Sequence, residues 1–361
     1  MCFALTGGTG FASLRSRPES WCEQYKAPFG RFVRFCWRDL PPVAITAVMT
    51  TSVLPSVPLR VLVAPAGQRD YLRSAVIDGG GVLVDDVADA DAVIWSSPRD
   101  PAALTALLQQ RPDLPWVQLP WAGIEHYRAM LDDKRLWTAG QGVYADDVAE
   151  HALTLMLAGL RDLKRRATAV SWQPPSGLSL RRRKVTIFGA GGITTSLLAL
   201  LKPFDVEVTI VRRQADVAVE GAARVLPLSK RIEAIEGADV VVLALSLTPE
   251  TTGVIGAAEL VAMSTTTWLV NVARGGHVDT AALIAALRTK QIGGAALDVT
   301  DPEPLPADHE LFHLDNCLIT PHCANTPAMA EPVLRQRVID NLRRRMAGEP
   351  LLGIVDVSAG Y

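Results

Sequence analysis

The run Lys184-Val-Thr-Ile-Phe188-Gly189-Ala-Gly191-Gly192-Ile193-Thr194 joins a short apolar, β-branched segment to a glycine turn and then to Leu- and Ala-rich helical sequence. Strand, glycine turn and helix start, in that order, are the context that dinucleotide binding requires. Gly189 permits the tight turn, and Gly191 lets backbone approach a pyrophosphate. The N–H groups of Gly192 and Ile193 at the helix start then meet the phosphate charge. The fingerprint's third glycine is replaced by Thr194, at a position that serves close helix–strand packing and admits a small side chain with a slight shift. The second strand, Val206–Val211, ends at Arg212 and Arg213. An acid there would accept the ribose 2′-hydroxyl of NAD, whereas an arginine pair suits a 2′-phosphate, so the residues favour NADP over NAD.

Strands and helices alternate outward from this run. Leu59–Ala64 reads as a buried strand, 69–77 as a helix, Gly81–Val84 and Ala92–Ser96 as strands, Pro101–Gln110 as a helix and Trp116–Leu119 as a strand. Such alternation implies βαβ units and parallel sheets. Asp146–Ala169 reads as one long amphipathic helix, acidic at its start and basic at its end. Trp172–Leu180, with Pro174, Pro175 and Gly177, is a linker. A second α/β series runs from Lys184 to about Thr320, and a helix over Met329–Ala347 returns to the first domain.

Three further segments each set a polar residue of catalytic type just past an apolar strand. They are Leu269-Val-Asn271-Val272-Ala273-Arg274-Gly275-Gly276, Gly294-Ala-Ala-Leu-Asp298-Val-Thr-Asp301-Pro-Glu303-Pro304, and Leu318-Ile-Thr320-Pro321-His322-Cys-Ala324-Asn. The carboxyl edge of an open α/β sheet is where ligands bind. These segments resemble the signature regions of the D-isomer-specific 2-hydroxyacid dehydrogenases. So do Leu247-Thr-Pro249-Glu250-Thr251-Thr-Gly253, Val148-Ala-Glu150-His151-Ala152 and Trp116-Val-Gln118-Leu-Pro-Trp121-Ala122-Gly123-Ile124-Glu125. The motifs stand in the family's order over residues 57 to about 350.

The resemblance implies a glyoxylate/hydroxypyruvate reductase-like member, or a phosphoglycerate dehydrogenase-like one without a regulatory domain, acting on a small 2-keto or 2-hydroxy acid. The implied fold is α/β with two doubly wound parallel-sheet domains. A Rossmann domain would span 146–321, and a discontinuous flavodoxin-like substrate domain 57–145 and 322–361, with crossings near Tyr144 and Asn325. By resemblance, Arg274 binds the substrate and polarises its keto oxygen, and His322 donates the proton. Glu303 holds the imidazole and favours its protonated form. Trp121, Ala122, Gly123 and Ile124 form the substrate loop, the last three through their N–H groups. Thr251, Val272, Ala273, Asp298 and Ala324 line the cofactor. Glu303 replaces the glutamine of the formate-specific branch, which disfavours formate. A homodimer is also implied. The same fold family includes corepressors that sense the cofactor with little turnover, a reading that robust turnover of a keto acid would count against.

Composition narrows the rest. A formal net charge of -2 argues against nucleic acid as a partner. The most apolar stretch, Val43–Ala64, is broken by Pro55 and Pro58, so no membrane span is expected. Five cysteines without a CxxC pair suggest neither a disulfide framework nor a thiolate metal site, and suit a reducing cytoplasm. His309-Glu310-Leu-Phe-His313 matches the HExxH zinc pattern, but Pro302, Pro304 and Pro306 crowd it, so a surface turn and no metal are expected. Residues 1–56 show no helical or strand period and read as a poorly ordered extension, with Met49 an alternative start. The glycine-rich Leu5–Gly10 follows no strand and is not read as a phosphate loop.

Overall fold

The structure is a computed structural model and describes residues 22–26, 32–36 and 57–358. Leu5–Gly10 and Met49 lie outside the described residues. The chain divides into two units, 1–55 and 56–361. In the first, β1 (Cys22–Lys26) pairs antiparallel with β2 (Phe32–Cys36). No regular element is expected there from sequence, because two runs of five residues are too short for alternation to stand out.

The second unit carries two parallel sheets. One has β3 (Arg60–Ala64), β4 (Val82–Val84), β5 (Ala92–Trp95), β6 (Trp116–Gln118) and β7 (Leu136–Thr138) in the order β4-β3-β5-β6-β7. This is a flavodoxin-like doubly wound order, whose switch point lies between β3 and β5. The other has β8 (Lys184–Phe188), β9 (Glu207–Val211), β10 (Arg224–Leu226), β11 (Val240–Leu243), β12 (Trp268–Asn271), β13 (Gly294–Leu297) and β14 (Cys317–Ile319). Their order, β10-β9-β8-β11-β12-β13-β14, is that of a dinucleotide-binding sheet with its switch point between β8 and β11. Helices cover both faces, so β5, β11 and β13 are buried at every residue. That is why these strands read as continuous apolar runs without alternation.

α1 (Tyr71–Asp78) and α2 (Pro101–Gln110) flank the first sheet. Two short pieces of structure were not legible. β7 has only three residues, and the helix expected over Asp146–Ala169 breaks in two. α3 (Ala145–Leu160) stops where Asp162 turns left-handed (φ 54°), and α4 (Leu163–Ala167) restarts after it. The break aims Lys164, whose ammonium donates to the carbonyls of Phe312, Leu314 and Cys317 at 2.8–3.2 Å. Tertiary carbonyls thus override an unbroken helical pattern. α5 (Gly192–Leu201) leaves the glycine turn. α6 (Arg231–Ile235), α7 (Ala257–Ala262) and α8 (Thr280–Arg288) complete the cover of the second sheet. α9 (Pro327–Ala347) returns as expected, burying Leu334, Val338 and Leu342 with Val61, Val63, Leu72 and Val76 of the first sheet's layer. Among the described residues no helix is long and apolar enough to cross a membrane.

Candidate active site

Arg274, Glu303 and His322 follow β12, β13 and β14, three neighbouring strands, so a single sheet edge presents all three. Gly275 makes the first two loops adjacent: a Cβ there would lie 1.9 Å from the Thr300 carbonyl oxygen. Asn271 shapes the arginine turn, donating from Nδ2 to the Arg274 carbonyl and accepting from the Ala273 N–H. His322 Nδ1 lies 2.8 Å from Glu303 Oε1. The imidazole side chain is 42% exposed, so its other face opens to a ligand. Its backbone is left-handed (φ 50°), a conformation that costs a non-glycine residue about 1 kcal/mol or more. The His322 N–H donates to the carbonyls of Asp298 and Thr320, which holds the strained turn.

Arg274 meets the loop that follows β6 of the first sheet. Its Nε lies 3.2 Å from Glu125 Oε1, and an added Cβ on Gly123 would fall 1.7 Å from its Nη2. The N–H groups of Ala122, Gly123 and Ile124 have no protein acceptor among the described residues, although Ile124 is buried. Next to a guanidinium, such a row of free donors suits a carboxylate. Trp121 on the same loop packs edge-on against Tyr144. Glu125 was not singled out in the sequence, because only folding brings it to Arg274. The same holds for Arg99, whose Nη2 reaches Glu303 Oε1 at 3.4 Å from the loop after β5.

At the glycine turn, Gly189 has φ 104°, and a Cβ would lie 2.2 Å from the Ala244 carbonyl oxygen, so only glycine fits. A Cβ on Gly191 would meet nothing within 4 Å, which leaves an open cradle in front of α5. No side chain caps that helix, so the N–H groups of Gly192 and Ile193 remain for a phosphate. Thr194 is fully buried and its hydroxyl donates to the Gly189 carbonyl at 3.1 Å. The substituted third glycine therefore stitches the turn it was expected only to tolerate. Arg212 is half-buried at the end of β9 and Arg213 exposed beside it, with no acid in either place. The turn fits a dinucleotide.

Val272 and Ala273 are buried beneath the Arg274 turn. Thr251 directs its hydroxyl to the Ser246 carbonyl, shaping its own loop. His277, fully buried, holds that loop through ring nitrogens 2.9 Å and 3.2 Å from the Thr251 and Leu245 carbonyls, and burial lowers its pKa. Asp298 is a buried hub. Its Oδ1 accepts from Thr320 (2.6 Å) and the Cys323 N–H (2.9 Å), with His151 Nε2 at 3.2 Å, while Oδ2 accepts from the Ala324 N–H (3.1 Å). Burial raises its pKa, but these donors outweigh it and hold the carboxyl at about 2. The Ala324 N–H is thus committed inside the protein, and its carbonyl is the backbone group left for a ligand. His151, Asp298 and Cys323 lie within 4.8 Å of one another, but hydrogen bonds account for the carboxylate and burial keeps Cys323 a thiol. The HExxH stretch forms one turn of 3-10 helix, Glu310–His313, capped by His309, so its histidines share no α-helix.

Asp298→Asn is expected to cost about 2–4 kcal/mol, since an amide N–H must face a buried donor. Urea denaturation checks this, and an unchanged midpoint would remove the bracing role. Because the folded carboxyl sits at about 2 against the usual 3.8, its contribution is complete above pH 3.8. It is lost as pH falls through about 2.

A doubly wound dinucleotide sheet, a flavodoxin-like partner sheet, and Arg, Glu and His on adjoining loops define a nicotinamide-dependent oxidoreductase of small 2-keto or 2-hydroxy acids. Residues 152–324 match the family described as "D-isomer specific 2-hydroxyacid dehydrogenase, NAD binding domain". The chain is 30% identical to a glyoxylate reductase of Thermofilum pendens, over 70% of this chain and 80% of that one. It is 32% identical to the human glyoxylate reductase/hydroxypyruvate reductase, over 63% and 73%. A D-isomer specific 2-hydroxyacid dehydrogenase from Xanthobacter autotrophicus Py2, solved with NADPH and MES, superposes with a TM-score of 0.74 at 27% identity, covering 84% of this chain and 100% of the other. The chain belongs to the D-isomer-specific 2-hydroxyacid dehydrogenase family, and its cofactor is NAD(P).

Proposed function

We propose that the chain reduces a small 2-keto acid to its D-2-hydroxy acid with NADPH in preference to NADH, using His322 as proton donor. The observation that carries this reading is the 2.8 Å contact between His322 Nδ1 and Glu303 Oε1 on a strained, partly exposed turn. When bound, a nicotinamide coenzyme supplies the hydride. Glu303 accepts the Nδ1–H, which fixes the ring's orientation, and His322 Nε2 gives its proton to the keto oxygen. Arg274 meets the developing negative charge and the substrate carboxylate, whose remaining lone pairs take the N–H groups of Ala122, Gly123 and Ile124. In the oxidative direction, neutral His322 takes the hydroxyl proton.

The working lobes are 146–321 for the cofactor, and 57–145 with 322–361 for the substrate. Closure about Tyr144 and Asn325 excludes water from the reaction. The active form is a cytoplasmic homodimer. Support for the dimer comes from the segment 169–177, exposed throughout, in which Val170 and Trp172 are fully uncovered. Sedimentation of the intact chain as a monomer would remove that part.

The test is oxidation of NADPH and NADH with glyoxylate, hydroxypyruvate and longer 2-keto acids. Arg212→Asp is expected to raise KM for NADPH about 10- to 100-fold, the worth of one charge-assisted bond to the 2′-phosphate, and to spare NADH. Oxidation of neither coenzyme with any keto acid would overturn the reading. A native preference for NADH would remove only the role of Arg212.

A further inference from the structure

We propose that Arg69 forms a second anion subsite at the mouth of the site, selecting 2-keto acids that carry a carboxylate or phosphate at their far end. This rests on the function proposed above and names its substrate class. Arg69 lies in the loop that leaves β3 and Arg99 in the loop that leaves β5. These loops flank the switch point of the substrate sheet, the crevice where ligands of such sheets bind. The Arg69 guanidinium lies 4.3 Å from the Trp121 ring centroid, over its face. Trp121 is two residues from Gly123, against which Arg274 packs. An acid held by Arg274 with its chain running along this loop would bring its far end to Arg69.

Arg69 differs from Arg274 and Arg99 at this edge. Arg274 has Glu125, Arg99 has Glu303, and Arg128 donates to the Leu247 carbonyl. Arg69 Nη1 is shielded from solvent without an acceptor, and no carboxylate pairs with this side chain among the described residues. A buried cationic donor left unmatched is costly unless a ligand supplies the acceptor. The backbone adds to that cost, since Arg69 is left-handed (φ 53°), a region uncommon for a side chain of this size. A flat guanidinium fixed on an indole face presents its remaining edge as a fork matched to carboxylate or phosphate.

Matched substrate pairs test this on the full chain: 2-oxoglutarate against 2-oxopentanoate, and 3-phosphohydroxypyruvate against hydroxypyruvate. In at least one pair the anionic member is expected to have about 10- to 100-fold higher kcat/KM, and which pair it is separates carboxylate from phosphate. Arg69→Met is expected to abolish that preference through KM of the anionic member, with kcat and the neutral member unchanged. Equal turnover within both pairs overturns the proposal, as does an Arg69→Met enzyme slowed alike on all substrates. If Arg69→Met does not fold, the wild-type pairs and Arg69→Lys, which keeps the charge but loses the fork, still decide. If no keto acid is turned over, the functional reading falls, and the subsite is judged by thermal protection of the NADPH-loaded protein. Protection by succinate above that by butyrate supports it, and equal protection overturns it.

Discussion

His322→Ala is expected to lower kcat about 10²- to 10⁴-fold, the usual worth of a positioned proton donor, while NADPH affinity stays unchanged. In the proposed mechanism the coenzyme's phosphates would be held at the glycine turn after β8 and the end of β9, whereas His322 follows β14 at the far edge of the sheet. With 42% of the imidazole side chain exposed, the substitution removes little packing and the fold should hold. Glu303→Gln is the informative companion. The amide oxygen can still accept the Nδ1–H and orient the ring but carries no charge, so activity should fall less than in His322→Ala. Single-turnover reduction with saturating NADPH makes the comparison. A His322→Ala enzyme retaining more than about a tenth of wild-type kcat would assign the proton to another group.

Gly123→Ala is expected to reduce kcat/KM by about 10² or more while leaving the urea midpoint almost unmoved. The new Cβ would lie 1.7 Å from Arg274 Nη2 and 2.7 Å from Glu125 Oε2. Both atoms are ends of flexible side chains, so relief comes from swinging them away, which costs little stability. The swing also removes the guanidinium from the place where, in the proposed mechanism, it meets the keto acid. Gly275→Ala makes the contrast, because its Cβ would meet the Thr300 carbonyl at 1.9 Å, and backbone cannot swing aside. That variant should unfold at markedly lower urea. A Gly123→Ala enzyme with unaltered kcat/KM would show that Arg274 does not serve the substrate from this position.

Glu125 illustrates how a residue within a recognised motif can have a role invisible in one dimension. It stands beside the substrate loop in sequence, yet its partner Arg274 is separated from it by most of two domains. Arg99 and Glu303 are joined in the same way, across loops of different sheets. Thr194 shows a subtler case: its size was a sufficient reason to tolerate it, but its hydroxyl bond to Gly189 depends on the direction the turn takes. Asp298 is expected to meet the cofactor, and the fold adds that its carboxylate braces the turn carrying His322.

The alternation of strands and helices, the nucleotide turn and the placing of Arg274, Glu303 and His322 just past apolar strands are legible in the residues alone. Those features are local: apolar runs, glycines at turns and charge at strand ends act over a few residues. The break after α3, the strand β7, the partners of Arg274 and Glu303 and the unmatched guanidinium of Arg69 emerge on folding alone. Each depends on groups far apart in the chain meeting at van der Waals or hydrogen-bond distance, and no periodicity along the sequence encodes such a distance.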